Sequence, residues 1–143
     1  MNKEGTIIIR GKQDGSDHGL ITVKAPVTYH FQNNKHFARF EERDSQGLLV
    51  TKNILKIASN QVDIMKRGIN NSHMVFRLDS LTKTNYHTPY GMMEFQIKTT
   101  DLDIKEAKDL IEVNLKYDLL SDNNIISSND INITITSAET SLR

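Results

Sequence analysis

From Ile111 to Leu119 the chain places an apolar residue at every second position: Ile111, Val113, Leu115, Tyr117 and Leu119 alternate with Glu112, Asn114, Lys116 and Asp118. The same period of two runs through Met93, Phe95 and Ile97, and again through Ile131, Ile133 and Ile135. Successive side chains of a strand point to opposite faces, so this pattern specifies a sheet with one buried face and one wet face. Rougher alternation covers Leu20–Phe31, His36–Arg43, Leu48–Ile57, Gln61–Arg67 and Ser72–Leu78. Ile104, Ala107, Ile111, Leu115 and Leu119 also fit a helical spacing, which leaves a helical turn open around Asp103–Asp109. From Ile111 onward the strand template accounts for every position.

Turn chemistry separates these segments at short intervals. Gln13 to Asp17, Gln32 to Lys35, Asp44 to Gly47, Ala58 to Asn60, Gly68 to Asn71, Asp79-Ser80, Thr88 to Gly91 and Glu106 to Asp109 all suit a reversing backbone, and Ser121 to Asp130 reads as an Asn/Ser-rich loop. About ten short strands with tight connections favour antiparallel neighbours, and a sheet of this kind hides its edges by closing. The expected fold is all-β: one antiparallel up-and-down barrel of about eight to ten strands. At 143 residues it fills a single domain, 1–143, with Glu139–Arg143 expected to fray.

Composition narrows the function. Eighteen basic side chains balance eighteen acidic ones, which argues against the broad cationic surface that nucleic acid or an anionic membrane would need. With no cysteine there is no disulfide, thiolate metal site or Cys nucleophile. Near the start, the apolar run Thr6 to Ile9 is too short for a secretory signal or a membrane span, so the expected location is the cytoplasm.

Phe40-Glu41-Glu42, Arg67-Gly68, Met74-Val75-Phe76, Tyr86-His87-Thr88-Pro89-Tyr90-Gly91 and Tyr117-Asp118-Leu119, in this order and spacing, resemble the YwiB-like bacterial family of unknown function. The resemblance spans essentially the whole chain. It implies a calycin-like barrel, related in architecture to lipocalins, in a cytosolic protein with no established activity. Phe40 stands where that family often has Tyr, and the absence of Trp removes the signature of lipocalins proper.

No linear motif carries chemistry. The five histidines lack metal-ligand spacing; His30 and His36 flank the Asn33-Asn34 turn, but two imidazoles make a poor site and are read as surface residues. Glu41 and Glu42 fall on opposite faces of a strand, so they do not form an acid–base pair. Neither a Gly-x-Ser-x-Gly elbow nor a phosphate loop occurs. Charges in phase with apolar residues are the informative ones. An inward Arg67, sharing a face with Met65, calls for a carboxylate partner or a bound anion. The candidate ligand-binding set at the barrel interior and mouth is therefore Arg39, Glu42, Arg67, Met74, Phe76, Tyr86, Tyr90 and Tyr117. No catalytic residue, metal ligand or cofactor is assigned. The expected function is a non-catalytic binding protein for a small apolar or amphipathic ligand. The alternatives are a protein-interaction module with a filled barrel and an enzyme whose dispersed residues leave no motif.

Overall fold

The computed structural model describes residues 3–13 and 16–137. Ten strands follow one another along the chain: β1 (Lys3–Gln13), β2 (Ser16–Gln32), β3 (Lys35–Arg43), β4 (Val50–Ile57) and β5 (Gln61–Arg67), then β6 (Ser72–Arg77), β7 (Leu81–Thr88), β8 (Gly91–Ala107), β9 (Leu110–Ser121) and β10 (Asn124–Ser137). All pairings are antiparallel and the spatial order is β6-β5-β4-β3-β2-β1-β10-β9-β8-β7. The sheet curls into a nearly closed, calycin-like barrel, as the alternation anticipates. The turn at Asp14–Gly15 and the end Glu139–Arg143 lie outside the described residues.

The two ends of the sheet, β6 and β7, are consecutive in the chain and meet at a seam. There Asn71 and His87 exchange backbone hydrogen bonds of 2.8 Å. Elsewhere along the seam a ladder is replaced by side chains: Thr82 Oγ1 donates to the Val75 carbonyl and Thr84 Oγ1 to that of His73, each at 2.7 Å.

Register sets one face of every strand inward. Ile7 lies opposite Ala25 on one side and Ile135 on the other, Val113 opposite Ile133, Leu55 opposite Ala38 and Ile64, and Val62 opposite Ile57 and Phe76. These residues and Ile97 are buried and fill the middle of the barrel. Each large apolar side chain buried there is worth roughly 1.5–3 kcal/mol.

Two sequence readings are corrected. No helical turn occurs at Asp103–Asp109, because β8 runs through Ala107 and the chain reverses at Lys108-Asp109, with Asp109 at φ 63°. Nor is Ser121–Asp130 a loop: Asp122 and Asn123, at φ 51° and 66°, make a two-residue turn, and β10 begins at Asn124. Asn33 and Asn34 (φ 54° and 62°) build the β2–β3 hairpin in the same way. Paired left-handed residues match the right-handed twist of the flanking strands, and Asn and Asp tolerate that conformation without glycine.

The wall of the barrel is uneven. β8 and β2 have 17 residues each, whereas β6 has 6 and β5 has 7. In addition, the β2–β3 ladder extends only from Gln32↔Lys35 to Thr28↔Arg39, while β3 stays paired with β4 as far as Arg43↔Val50. Pro26, two residues beyond Thr28, has no N–H to continue a ladder. The two strands part there, leaving a cleft in the flank.

Candidate functional site

At the end of the barrel where β8 turns into β9, the long strands enclose a pocket of about 420 Å³. Val27, Phe31, Leu110, Ile111 and Ile135 supply an apolar lining, and Tyr29, His36 and Glu106 supply the polar groups. A side chain at Gly5, in the same wall, would collide with the Thr136 carbonyl, so glycine is what allows β1 and β10 to approach here.

The three polar residues form a chain of hydrogen bonds. Tyr29 Oη lies 2.9 Å from His36 Nδ1, and His36 Nε2 lies 2.8 Å from Glu106 Oε1. Each arrives by strand phase: Tyr29 follows Ala25 and Val27 on the inner face of β2, His36 precedes Ala38 and Phe40 on that of β3, and Glu106 follows Leu102 and Ile104 on β8. In the sheet order β3 and β8 are five strands apart either way around, so the His36–Glu106 contact spans the lumen. His36 is buried, stacked at 5.6 Å on Tyr29 and met at its edge by Phe31 at 4.7 Å. Glu106 is half exposed.

A neutral imidazole satisfies all three groups: the Tyr29 hydroxyl donates to Nδ1 while Nε2–H donates to the Glu106 carboxylate. Burial, and secondarily the Glu106 carboxylate, push the Tyr29 phenol above its ordinary value of 10.0. The neutral phenol is a hydrogen-bonding group in the pocket. One lone pair on its oxygen and the second carboxylate oxygen of Glu106 are left for a hydrogen-bond donor in the pocket. Among the described residues, no three His, Cys, Asp or Glu side chains converge as metal ligands.

The expected site residues are dispersed. Phe76 belongs to the core, and Met74 and Tyr117 pack against it; the Tyr117 ring lies 4.9 Å from Phe76, and burial raises its phenol pKa. Glu42 points inward towards the opposite end, where its Oε1 accepts from Asn53 Nδ2 at 3.0 Å and Lys66 Nζ at 3.2 Å. Arg67 is exposed on the outer face: in β5 the inward set is Val62, Ile64 and Lys66, so Lys66 makes the carboxylate bridge expected of Arg67. Arg39 likewise lies outside, beside His30. Tyr86 is half-buried with its ring 6.5 Å from Phe95, whereas Tyr90, in the turn between β7 and β8, is 99% exposed. His30 and His36 are not brought together, because His30 stacks on Phe37 outside while His36 is inside; the surface reading fails for His36. The sequence reading missed Tyr29, His36 and Glu106 as a set.

Comparison with known proteins agrees with this architecture. The crystal structure of the YwiB protein from Bacillus subtilis superposes with a TM-score of 0.81 at 18% identity, covering 96% of this chain and 93% of that one. At that identity the likeness is one of fold. No curated protein matches the sequence. The match to the domain-of-unknown-function family DUF1934 extends over residues 7–133, nearly the whole barrel, and the chain belongs to that family.

Proposed function

We propose that this protein is a non-catalytic carrier or sensor of a small amphipathic molecule, held in the barrel-end pocket. The observation behind this reading is the convergence of Tyr29, His36 and Glu106 on an apolar cavity of about 420 Å³, a size that suits a compact ligand. Val27, Phe31 and Ile135 would take the apolar body, and the Tyr29 and Glu106 oxygens would receive a hydroxyl or protonated amine. A phenol held neutral by burial supports binding over nucleophilic catalysis. The packed middle of the barrel confines the ligand to the end and sets this apart from a carrier with an open lumen. The reading takes the protein as cytosolic and bacterial, as the YwiB-like resemblance implies.

Native mass spectrometry of the full chain, purified from bacterial cells without denaturation, tests the proposal. The expected result is a small-molecule adduct that disappears in Leu110→Trp, which fills the opening from a rim position. A wild-type spectrum free of adduct, or an adduct retained by Leu110→Trp, would overturn it. For the ligand so identified, Tyr29→Phe should weaken binding about tenfold, or ~1.4 kcal/mol.

A further inference from the structure

The polar chain at the barrel end has a direction, and that direction decides what the pocket can hold. With His36 neutral, the Tyr29 hydroxyl is spent on Nδ1 at 2.9 Å and the Nε2–H on Glu106 Oε1 at 2.8 Å. A ligand is left one lone pair on Tyr29 Oη and the second Glu106 oxygen: two acceptors and no donor. All three side chains lie on the inner face of the wall and line the same cavity. Lys3 and Lys108 stand exposed at its rim. Among the described residues, the ion-pair partner of Glu106 is His36 and neither lysine.

Three kinds of ligand group fare differently against these acceptors. A carboxylate or carbonyl sets lone pairs against lone pairs. A hydroxyl carries one proton and serves one of the two oxygens. A primary ammonium serves both through charge-assisted bonds and answers the charge of the carboxylate. Phe31, Leu110 and Ile135 then enclose a compact apolar body. We infer that the pocket selects protonated primary amines of this kind and that protonation of His36 releases them. The inference rests on the pocket reading above. An imidazolium donates from both nitrogens, so Nδ1–H turns to Tyr29 Oη and the phenol proton swings into the cavity. The pocket then presents a donor where it had an acceptor, and Glu106 faces a cation of the protein's own. The charged and titratable groups facing His36 are Tyr29 from β2 and Glu106 from β8; Ile57, its partner on β4, is apolar. Lys3, Glu4, Lys108 and Asp109 complete the rim.

Calorimetric titration of the full chain tests this with two probe sets of matched shape: hexylamine, hexanol and hexanoate, and phenethylamine, phenethyl alcohol and phenylacetate. At about pH 8, at least one amine is expected to bind saturably, about tenfold or more tighter than its alcohol and carboxylate counterparts. Glu106→Gln, at a half-exposed position, should weaken that amine about tenfold and change the alcohol less than about twofold. At about pH 5.5 the amine should bind about fivefold or more weakly, and the His36 ring nitrogens should change their NMR shifts over the same interval. An alcohol or carboxylate bound as tightly as its amine, indifference to Glu106→Gln, or equal amine affinity at both pH values would each overturn the inference. If such probes still lose binding in Leu110→Trp, the pocket reading stands and the amine assignment alone falls. Saturable binding by neither amine would also overturn it, and the adduct in the native spectrum then decides the pocket reading separately.

Discussion

Gly91 has φ +131°, and its neighbours leave room for a side chain, so the constraint there is backbone conformation rather than space. The turn it closes is held by Thr88, whose Oγ1 accepts from the Tyr90 N–H at 3.1 Å and donates to the Gly91 carbonyl at 2.9 Å. Gly91→Val should therefore destabilise the fold by roughly 1–3 kcal/mol, read as a lower urea midpoint. Tyr90→Phe should leave that midpoint unchanged, because its hydroxyl is in solvent. Tyr29 and Tyr117 give a pH dependence of definite sign. Both phenols ionise above 10.0 when folded, so the stability their burial favours is complete below pH 10 and is lost as pH rises through the folded values. Urea midpoints measured from pH 9 upward should fall, and less steeply in Tyr117→Phe. The inner face of β3 was open to sequence reading in either phase, because Phe37 and Phe40 recommend opposite faces; packing chose Phe40 and sent Arg39 out. In β5, Ile64 and Met65 pose the same ambiguity, and it moved the expected bridge from Lys66 to Arg67. The Tyr29–His36–Glu106 chain left a trace only in each residue's phase with its apolar neighbours. Its closing contact joins residues 70 apart in sequence across the lumen, which no local pattern reports.

Individual strands were legible wherever apolar residues kept the inner face. They became illegible where that face turned polar: in β10, Ser127 is buried and Asn129 donates to its Oγ at 3.0 Å, so the strand continues while the hydrophobic pattern lapses. That is why an Asn/Ser-rich strand read as a loop. The hairpin before it makes a test of turn chemistry. Asn123 sits at φ 66°, where glycine carries no steric penalty and alanine does. Asn123→Ala should cost about 1 kcal/mol, and Asn123→Gly should be neutral or slightly stabilising, as read from chemical denaturation.

At the scale of the whole barrel, the seam is where cooperativity is thinnest. Its two threonine bonds do the work a ladder does elsewhere, each worth about 1 kcal/mol net. Thr82→Val and Thr84→Val should together lower global stability by about 2 kcal/mol. Native-state hydrogen exchange should quicken first at amides of β6 and β7, while amides of β1 and β10 keep their protection. The placement of the seam has a further consequence. The break in the sheet falls in mid-chain, at Leu78–Ser80, while the first and last strands are fully laddered from Gly5↔Ser137 to Gln13↔Asn129. A circular permutant that joins Ser137 to Lys3 by a short linker and is opened at Asp79 would have its strands numbered in the same order as they stand in the sheet. It would give up only the backbone bonds of that turn, Asp79 N–H to the Thr99 carbonyl and Ser80 N–H to that of Arg77, both 3.1 Å. Such a permutant should fold to the same barrel, with its new ends lying side by side at the seam.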